Sequence, residues 1–397
     1  MYARLAAQRV QDALADTPVV TVHGPRQCGK STLVQELAGD RPYITLDDGL
    51  ALDAATQNPD GFIAQYPRGA VIDEVQRAPG LFRAIKKSVD KDRQPGKFLL
   101  TGSANILLLP KLSESLAGRM EVVPLWPLTQ AEIRGGKASF LEQCFGEEFE
   151  LGEAADWKEL LDGGFPEPIG RATEDRRSAW FEAYLKAMLE RDIRDVADIE
   201  GLTAIPRLLR IMAAKATETT NISSLSRESG IAHTTLTRYL STLESIFVTL
   251  SLPALSIAGK TRTLKSSKLH FADVGLLGHL LGSSRERLAM DGGLGFRLLE
   301  NFVATECLRL RDATAPSLEV QHFRSVRQFS VPIVLKKPDG RLVAISLTTA
   351  AAVAPADFSG IDFLADVVGS DLVKGVVLHL GCLLYTSPSP RDISAYL

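Results

Sequence analysis

The segment Gly24-Pro25-Arg26-Gln27-Cys28-Gly29-Lys30-Ser31 constrains this chain more than any other. It fits the spacing G-x-x-x-x-G-K-[ST], it follows the apolar, β-branched run 18–23, and it opens a stretch of helical spacing over 30–38. Strand, glycine turn and helix in that order form the setting in which such a loop wraps a polyphosphate. Gly24 and Gly29 let the backbone pass close to phosphate oxygens and turn its N–H groups inward. The helix N-terminus behind the loop adds partial positive charge. On this reading Gly24, Pro25, Arg26, Gln27, Cys28, Gly29, Lys30, Ser31 and Thr32 bind ATP. Lys30 neutralises the β- and γ-phosphates, and the Ser31 hydroxyl ligates Mg²⁺.

Around this loop the first 130 residues alternate strand-like and helix-like segments. The runs 43–48, 69–74, 97–103 and 120–125 are apolar and strand-like, and 79–91 reads as a helix with Pro79 near its start. Near-continuous apolar strands separated by helices predict an α/β fold, a parallel sheet covered on both faces. Ala70-Val71-Ile72 ends in Asp73 and Glu74, two carboxylates at the edge of such a sheet where ligands bind. Asp73 is the expected Mg²⁺ partner and Glu74 the general base that polarises the attacking water. Ser103 or Asn105, after the strand 97–103, is placed to bond the γ-phosphate or that water; an ordinary polar turn is the alternative. Arg119 reads either as an arginine finger for a neighbouring subunit's nucleotide or as half of an intramolecular carboxylate pair. Cys28 sits where a helix N-terminus lowers a thiol's pKa, which suggests sensitivity to oxidation unless it is a passive spacer.

The net charge of −3 argues against a chain that is electrostatically attracted to nucleic acid or anionic membrane over its whole surface. The four cysteines, Cys28, Cys144, Cys307 and Cys382, show no CxxC pairing, which fits a reducing cytoplasm and no zinc site. The first residues read as an amphipathic helix without a signal-peptide core, and no apolar run approaches the ~20 residues that span a bilayer. The expected location is cytoplasmic, with no membrane partner.

Beyond residue 130 the pattern turns helical, with a loop at Gly163–Pro168. Ile222–Glu228, a turn at Ser229-Gly230 and His233–Leu240 have the size and turn chemistry of a helix-turn-helix. Ser223, Thr234, Thr235, Thr237 and Arg238 are the candidates to face phosphates or bases. Lys260, Arg262, Lys265 and Lys268 then form a basic run that resembles a wing on a duplex backbone. DNA through 221–268 and a protein partner both remain open for this region, as does a homo-oligomer. Further on, 328–337 and 341–349 flank Pro338-Asp339-Gly340, a hairpin turn.

The segments HGPRQCGKSTL, AVIDEVQRAP, LTGSAN, LAGR and GGFPEP occur in this order, followed by YLKAMLERDIRDVADI, TLTRYLSTLESIFVTLSLPALS, KSSKLHFADVGLLGHLLG and GFRLLENFVATE. Together they resemble the prokaryotic AAA+-type P-loop ATPases that carry an uncharacterised C-terminal domain, over roughly 4–350. The resemblance implies a P-loop NTPase sheet at 1–130, a helical linker or lid at 131–200, a winged-helix-like domain at 201–285 and a restriction-nuclease-like α/β domain at 286–381. Residues 382–397 read as a non-native tail. In related domains the resemblance suggests a Glu-Val-Asp on the first hairpin strand and a Glu-x-Lys on the second. Here Ser330 and Pro332, then Ser346 and Thr348, stand at those places. Hydroxyls are poor Mg²⁺ ligands, so the nuclease-like domain is expected to be degenerate and to cut nothing. Pro332 suggests an edge strand or a bulge. Glu300 and Glu306 remain on the preceding helix as expected surface charge.

These features lead to a Mg²⁺-dependent ATPase in which ATP drives a conformational switch of the C-terminal module. The alternative is a nucleotide-gated DNA-binding regulator or defence-type factor with little turnover. A phosphotransferase fits less well, because the Asp73-Glu74 pair favours water as the acceptor.

Overall fold

A computed structural model of the chain describes residues 2–103, 116–146, 157–190, 202–257, 264–350, 352–379 and 392–396. Helix α1 (Ala6–Asp16) leads into β1 (Val19–His23), the phosphate-loop segment and α2 (Lys30–Glu36). Strands β2 (Tyr43–Thr45), β3 (Ala70–Asp73), β4 (Phe98–Gly102) and β5 (Met120–Pro124) complete a five-stranded sheet of order β2-β3-β4-β1-β5. Every pairing in it is parallel. Helix α3 (Leu81–Lys91) lies between β3 and β4 in the chain.

The alternation of side chains explains why the interior strands β1, β3 and β4 are almost continuously apolar, while the edge strands β2 and β5 are half-buried. Val19, Ala70, Ile72, Phe98 and Leu100 pack into one core with Leu81, Phe82 and Ile85 of α3. Val20, Val22, Val71, Leu99 and Val123 pack into another with Val10 of α1 and Leu33 of α2. A strand buried on both faces has no polar side, as expected for a parallel sheet under helices.

The second half begins with α4 (Glu174–Glu190) and reaches the helix-turn-helix: α5 (Ile222–Ser229), Gly230 in the left-handed region at φ 74°, and α6 (His233–Ser245). Strands β6 (Thr249–Leu252) and β7 (Lys268–Phe271) pair antiparallel after it. Helix α7 (Gly292–Thr314) then crosses to a C-terminal mixed sheet of β8 (Glu319–Arg324), β9 (Ser330–Lys336), β10 (Leu342–Thr348), β11 (Leu372–His379) and β12 (Asp392–Tyr396), in the order β12-β11-β10-β9-β8. The expected hairpin is β9–β10, with Lys336 opposite Leu342. One hydrophobic core runs from Leu141 to Leu378, joining the helical segment, the helix-turn-helix and the C-terminal sheet.

Several expectations change here. Pro332 is on an interior strand, since β9 pairs with both β8 and β10. It falls at the register shift between β8 and β9, where Gln321 pairs with Val334 and Phe323 with Val331, so that two residues of β9, Pro332 among them, face one of β8: the bulge of the two expected alternatives. Glu300 is not surface charge. It is buried and ion-paired to the buried Lys268. Lys268 therefore cannot reach a duplex. The chain before the basic run and in the middle of it is tied to β8, by Leu255 N–H to His322 O (2.7 Å) and Leu264 N–H to Arg324 O (3.0 Å). Only Lys265 of that run is both described and exposed; Lys260 and Arg262 lie outside the described residues. Separately from these changes, residues 392–396 form β12, which runs parallel to β11.

Burial also sets a pH dependence. It holds His23 and His270 down to about 3 and His322 down to about 4, so all three stay neutral in the fold. In the unfolded chain they titrate near ~6.5. Below that value the unfolded state binds protons that the folded state refuses, so their stabilisation is present above ~6.5 and is lost as pH falls. Glu306, raised by burial to about 7, opposes this between its unfolded value and that pH. His270 isolates the effect, since neither of its ring nitrogens has a partner among the described residues. Between pH 5 and 6, His270→Leu should flatten the pH dependence of unfolding free energy by about 1.4 kcal/mol per pH unit relative to the parent. Equal slopes for the two proteins would refute the assignment.

Candidate active site

Strand β1 delivers the loop to the C-terminal edge of the sheet, between the ends of β4 and β5. Gly24 has no substitute there, because a Cβ would lie 1.9 Å from Leu125 O. The Lys30 ammonium is buried and donates to Gly24 O (3.0 Å) and Pro25 O (2.9 Å), inside its own loop. The Ser31 hydroxyl lies 3.0 Å from both Asp73 carboxylate oxygens. Tyr43 OH donates to Asp73 Oδ2 at 2.8 Å, and Thr101 Oγ1 donates to Oδ1. A hydroxyl and a carboxylate side by side are the oxygen donors that a small hard cation prefers, and few protein ligands suffice when phosphates and water supply the rest. The donor set at Ser31 and Asp73 fits Mg²⁺. Among the described residues no cluster of three or more His, Cys, Asp or Glu could hold a metal by itself.

Glu74 follows in the left-handed region, φ 59° and ψ 42°, an uncommon conformation for a residue with a Cβ. Its N–H is held by Thr101 Oγ1 at 2.9 Å, and its side chain lines a cavity of about 1130 Å³. Lys30 and Ser31 line the same cavity, and Trp180 and Tyr184 of α4 line it beyond the phosphate loop. Those two rings stack at 5.1 Å and 12°. The turn at Gly163–Phe165, followed by a short helix at Pro166–Ile169 where a loop was expected to run to Pro168, closes that wall. Gly164 lets it pass under the chain after β5, where a Cβ would lie 2.4 Å from Leu128 O. Buried Arg309 of α7 fastens the junction, donating to Leu128 O at 2.9 Å and to Asp273 Oδ2 at 3.1 Å.

Of the residues singled out in the sequence, Lys30, Ser31, Asp73 and Glu74 are brought together. Ser103 is also close, but it donates to Glu74 Oε2 at 3.1 Å. Asn105 lies outside the described residues. Arg119 is not brought to the site. It precedes β5, at the opposite end of the strands from the loop, and its guanidinium is paired with Asp90. Within the chain, Arg119 therefore makes the intramolecular carboxylate pair. Cys28 is fully buried with its thiol on Leu125 O at 3.2 Å, and burial pushes its pKa up, overriding the helix N-terminus. Of the two readings, this arrangement agrees with the passive spacer. Four contributors escaped the sequence reading: Arg4, which donates to Cys28 O at 2.6 Å, and Tyr43, Gln76 and Thr101. Gln76 lies two residues past the Asp-Glu pair and had a local signal; the others come from distant segments.

On the helix-turn-helix, Ser223, Thr234, Thr237 and Arg238 are exposed and Thr235 is half-buried. Phe247, after α6, is buried with φ 60°. Its ring meets His23 edge-on at 5.1 Å and Trp126 at 5.3 Å. His23 immediately precedes the phosphate loop.

Residues 16–134 match a family described as AAA domain, and residues 156–287 match a domain of unknown function, DUF8612. The chain is similar to an uncharacterized protein of Mycobacterium bovis and to one of Mycobacterium tuberculosis. Each is 33% identical over 291 residues, 72% of this chain and 61% of the relative. The chain thus spans less than two thirds of the length of these relatives. Among solved structures it is similar to a Walker-type ATPase of Pyrococcus abyssi, at 16% identity and a TM-score of 0.42, over 69% of this chain and 94% of that one. It is also similar to AMPPCP-bound DnaA of Aquifex aeolicus, at 16% identity and a TM-score of 0.30, over 61% of this chain and 87% of that one. No helix among the described residues is long and apolar enough to cross a membrane.

Proposed function

We propose, on the premise that residues 16–134 form an AAA-type P-loop domain, that the chain binds ATP with Mg²⁺, hydrolyses it, and uses the change to reset the module carrying the helix-turn-helix. The observation that carries this reading is the Ser31 hydroxyl at 3.0 Å from the Asp73 carboxylate, with Glu74 next in the chain on the same cavity as Lys30. Ser31 and Asp73 would hold Mg²⁺, which supplies charge neutralisation at the β- and γ-phosphates when bound. Lys30 exchanges its two loop carbonyls for phosphate oxygens. Glu74 takes a proton from water as the water oxygen bonds to the γ-phosphorus, and the bond to the β-phosphate oxygen breaks to release ADP and phosphate. Trp180 and Tyr184 offer an aromatic wall for the base, which would make the 131–200 segment part of the nucleotide site.

Phe247 supports the coupling. A bulky aromatic residue at positive φ is strained, and such strain persists where the surroundings hold it in place. Phe247 contacts the residue before the phosphate loop and sits at the end of α6, so a shift of the loop reaches the helix-turn-helix through one side chain. Hydrogen exchange over 244–252 should differ between the ADP-bound form and an ATP-bound Glu74→Gln form, and Phe247→Ala should erase that difference while nucleotide affinity stays within about threefold. Identical exchange in the two nucleotide states of the parent sequence would defeat the switch.

The exposed Ser223, Thr234, Thr237 and Arg238 favour a second reading, a nucleotide-gated DNA binder. Binding of a duplex that weakens steeply with salt would support it, through counterion release. A flat salt response would move this surface to a protein partner.

A further inference from the structure

We propose that Gln76 and Ser103 form a clamp that positions the Glu74 carboxylate, fixing one oxygen and leaving the other for the attacking water. This inference rests on the hydrolytic reading above and assigns a role to Gln76 within it. Three side chains close a triangle. Gln76 Nε2 donates to Glu74 Oε2 and to Ser103 Oγ (2.9 Å), and Ser103 Oγ donates to Glu74 Oε2 at 3.1 Å. Each proton is used once. The amide spends one N–H on the carboxylate and one on the hydroxyl, and the hydroxyl spends its O–H on the carboxylate. The opposite amide orientation would set an oxygen against the carboxylate, so the network itself fixes the assignment.

All the hydrogen bonds that the Glu74 carboxylate accepts among the described residues fall on Oε2, while the residue lines the cavity next to Lys30 and Ser31. Gln76 and Ser103 do not line that cavity; they stand behind Glu74. The backbone repeats the design. Glu74 is left-handed, and Thr101 holds its N–H while also holding Asp73. One residue of β4 thus fixes the order of the two acids, and the clamp fixes the rotamer of the second. A carboxylate free to turn about its side-chain bonds would present an oxygen to water only part of the time, and reaction rates fall steeply with such misplacement. Gln76 is a positioning residue: it acts through Glu74 and touches neither phosphate nor metal donor.

The test is steady-state hydrolysis of Mg²⁺-ATP by the full chain, with the Glu74→Gln variant as control. Gln76→Leu keeps the bulk and removes both donors. It should lower kcat roughly 10- to 100-fold, the worth of a charge-assisted hydrogen bond, with KM within about threefold. Ser103→Ala should lower kcat by less, and Ser103→Thr, which keeps the hydroxyl, should restore it. Gln76→Glu sets a second carboxylate against the first and should move the acidic limb of the kcat–pH profile to higher pH. A role in packing alone would not move that limb, and this variant together with Ser103→Ala decides the matter if Gln76→Leu does not fold. Unchanged kcat in Gln76→Leu, or a raised KM at constant kcat, while Glu74→Gln stops turnover, overturns the clamp and leaves the hydrolytic reading intact. Parent-rate turnover in Glu74→Gln, or none in the parent, overturns the reading and the clamp together.

Discussion

Replacing Glu74 by glutamine should leave ATP bound and stop its hydrolysis. The amide matches the carboxylate in size, and Gln76 and Ser103 still have an oxygen to hold. The loop contacts of Lys30 and Ser31 do not involve residue 74. Only proton acceptance from water is lost. General-base removal costs about 10²- to 10⁴-fold, so kcat should fall by at least ~100-fold with nucleotide affinity within about threefold. Nucleotide titration and phosphate release on the same preparation separate the two quantities. A variant that loses both binding and turnover would mean that Glu74 holds the nucleotide rather than the water.

Lys30→Ala should have the opposite signature. The ammonium is buried, and its partners within the chain are two loop carbonyls at 2.9 and 3.0 Å. In the proposed ATP-bound state it would face charged phosphate oxygens, where one charge-assisted contact is worth about 1.5–3 kcal/mol. Affinity for ATP should weaken by at least ~100-fold, measured by titration calorimetry. Because the loop carbonyls lose their donor, the thermal midpoint should be followed in parallel. Unchanged affinity in a folded Lys30→Ala protein would remove the phosphate site from the loop.

How much of this was legible before the structure depends on how far apart the partners lie in the chain. The strands 19–23, 70–73 and 98–102 are short apolar runs bounded by turn residues, and both faces are buried, so periodicity and location agree; 120–124, at the sheet edge, is only half-buried and still reads as a strand. The hairpin at Pro338-Asp339-Gly340 and the helix-turn-helix are equally local, being fixed by a turn and the segments beside it. Lys268 misled for the converse reason. A lysine in a basic run reads as solvated, and its partner Glu300 is 32 residues away on α7. Glu300 misled for the same reason. For Cys28 the helix behind it was the local signal, and Leu125 O, just after β5, which closes over the thiol, was not visible in the sequence. Arg119 was judged by its place in the chain relative to the motifs. Strand direction puts it at the far end of the sheet, where α3 supplies Asp90. The contact between Phe247 and His23 joins segments more than two hundred residues apart, and no local pattern announces it.

The central claim is turnover, and phosphate release by the parent chain under excess Mg²⁺-ATP tests it most directly. The account predicts linear release well beyond one equivalent per chain, abolished by a chelator and by Glu74→Gln. Release that stops at or below one equivalent, with ATP bound, would contradict it and leave a nucleotide-gated binder in its place.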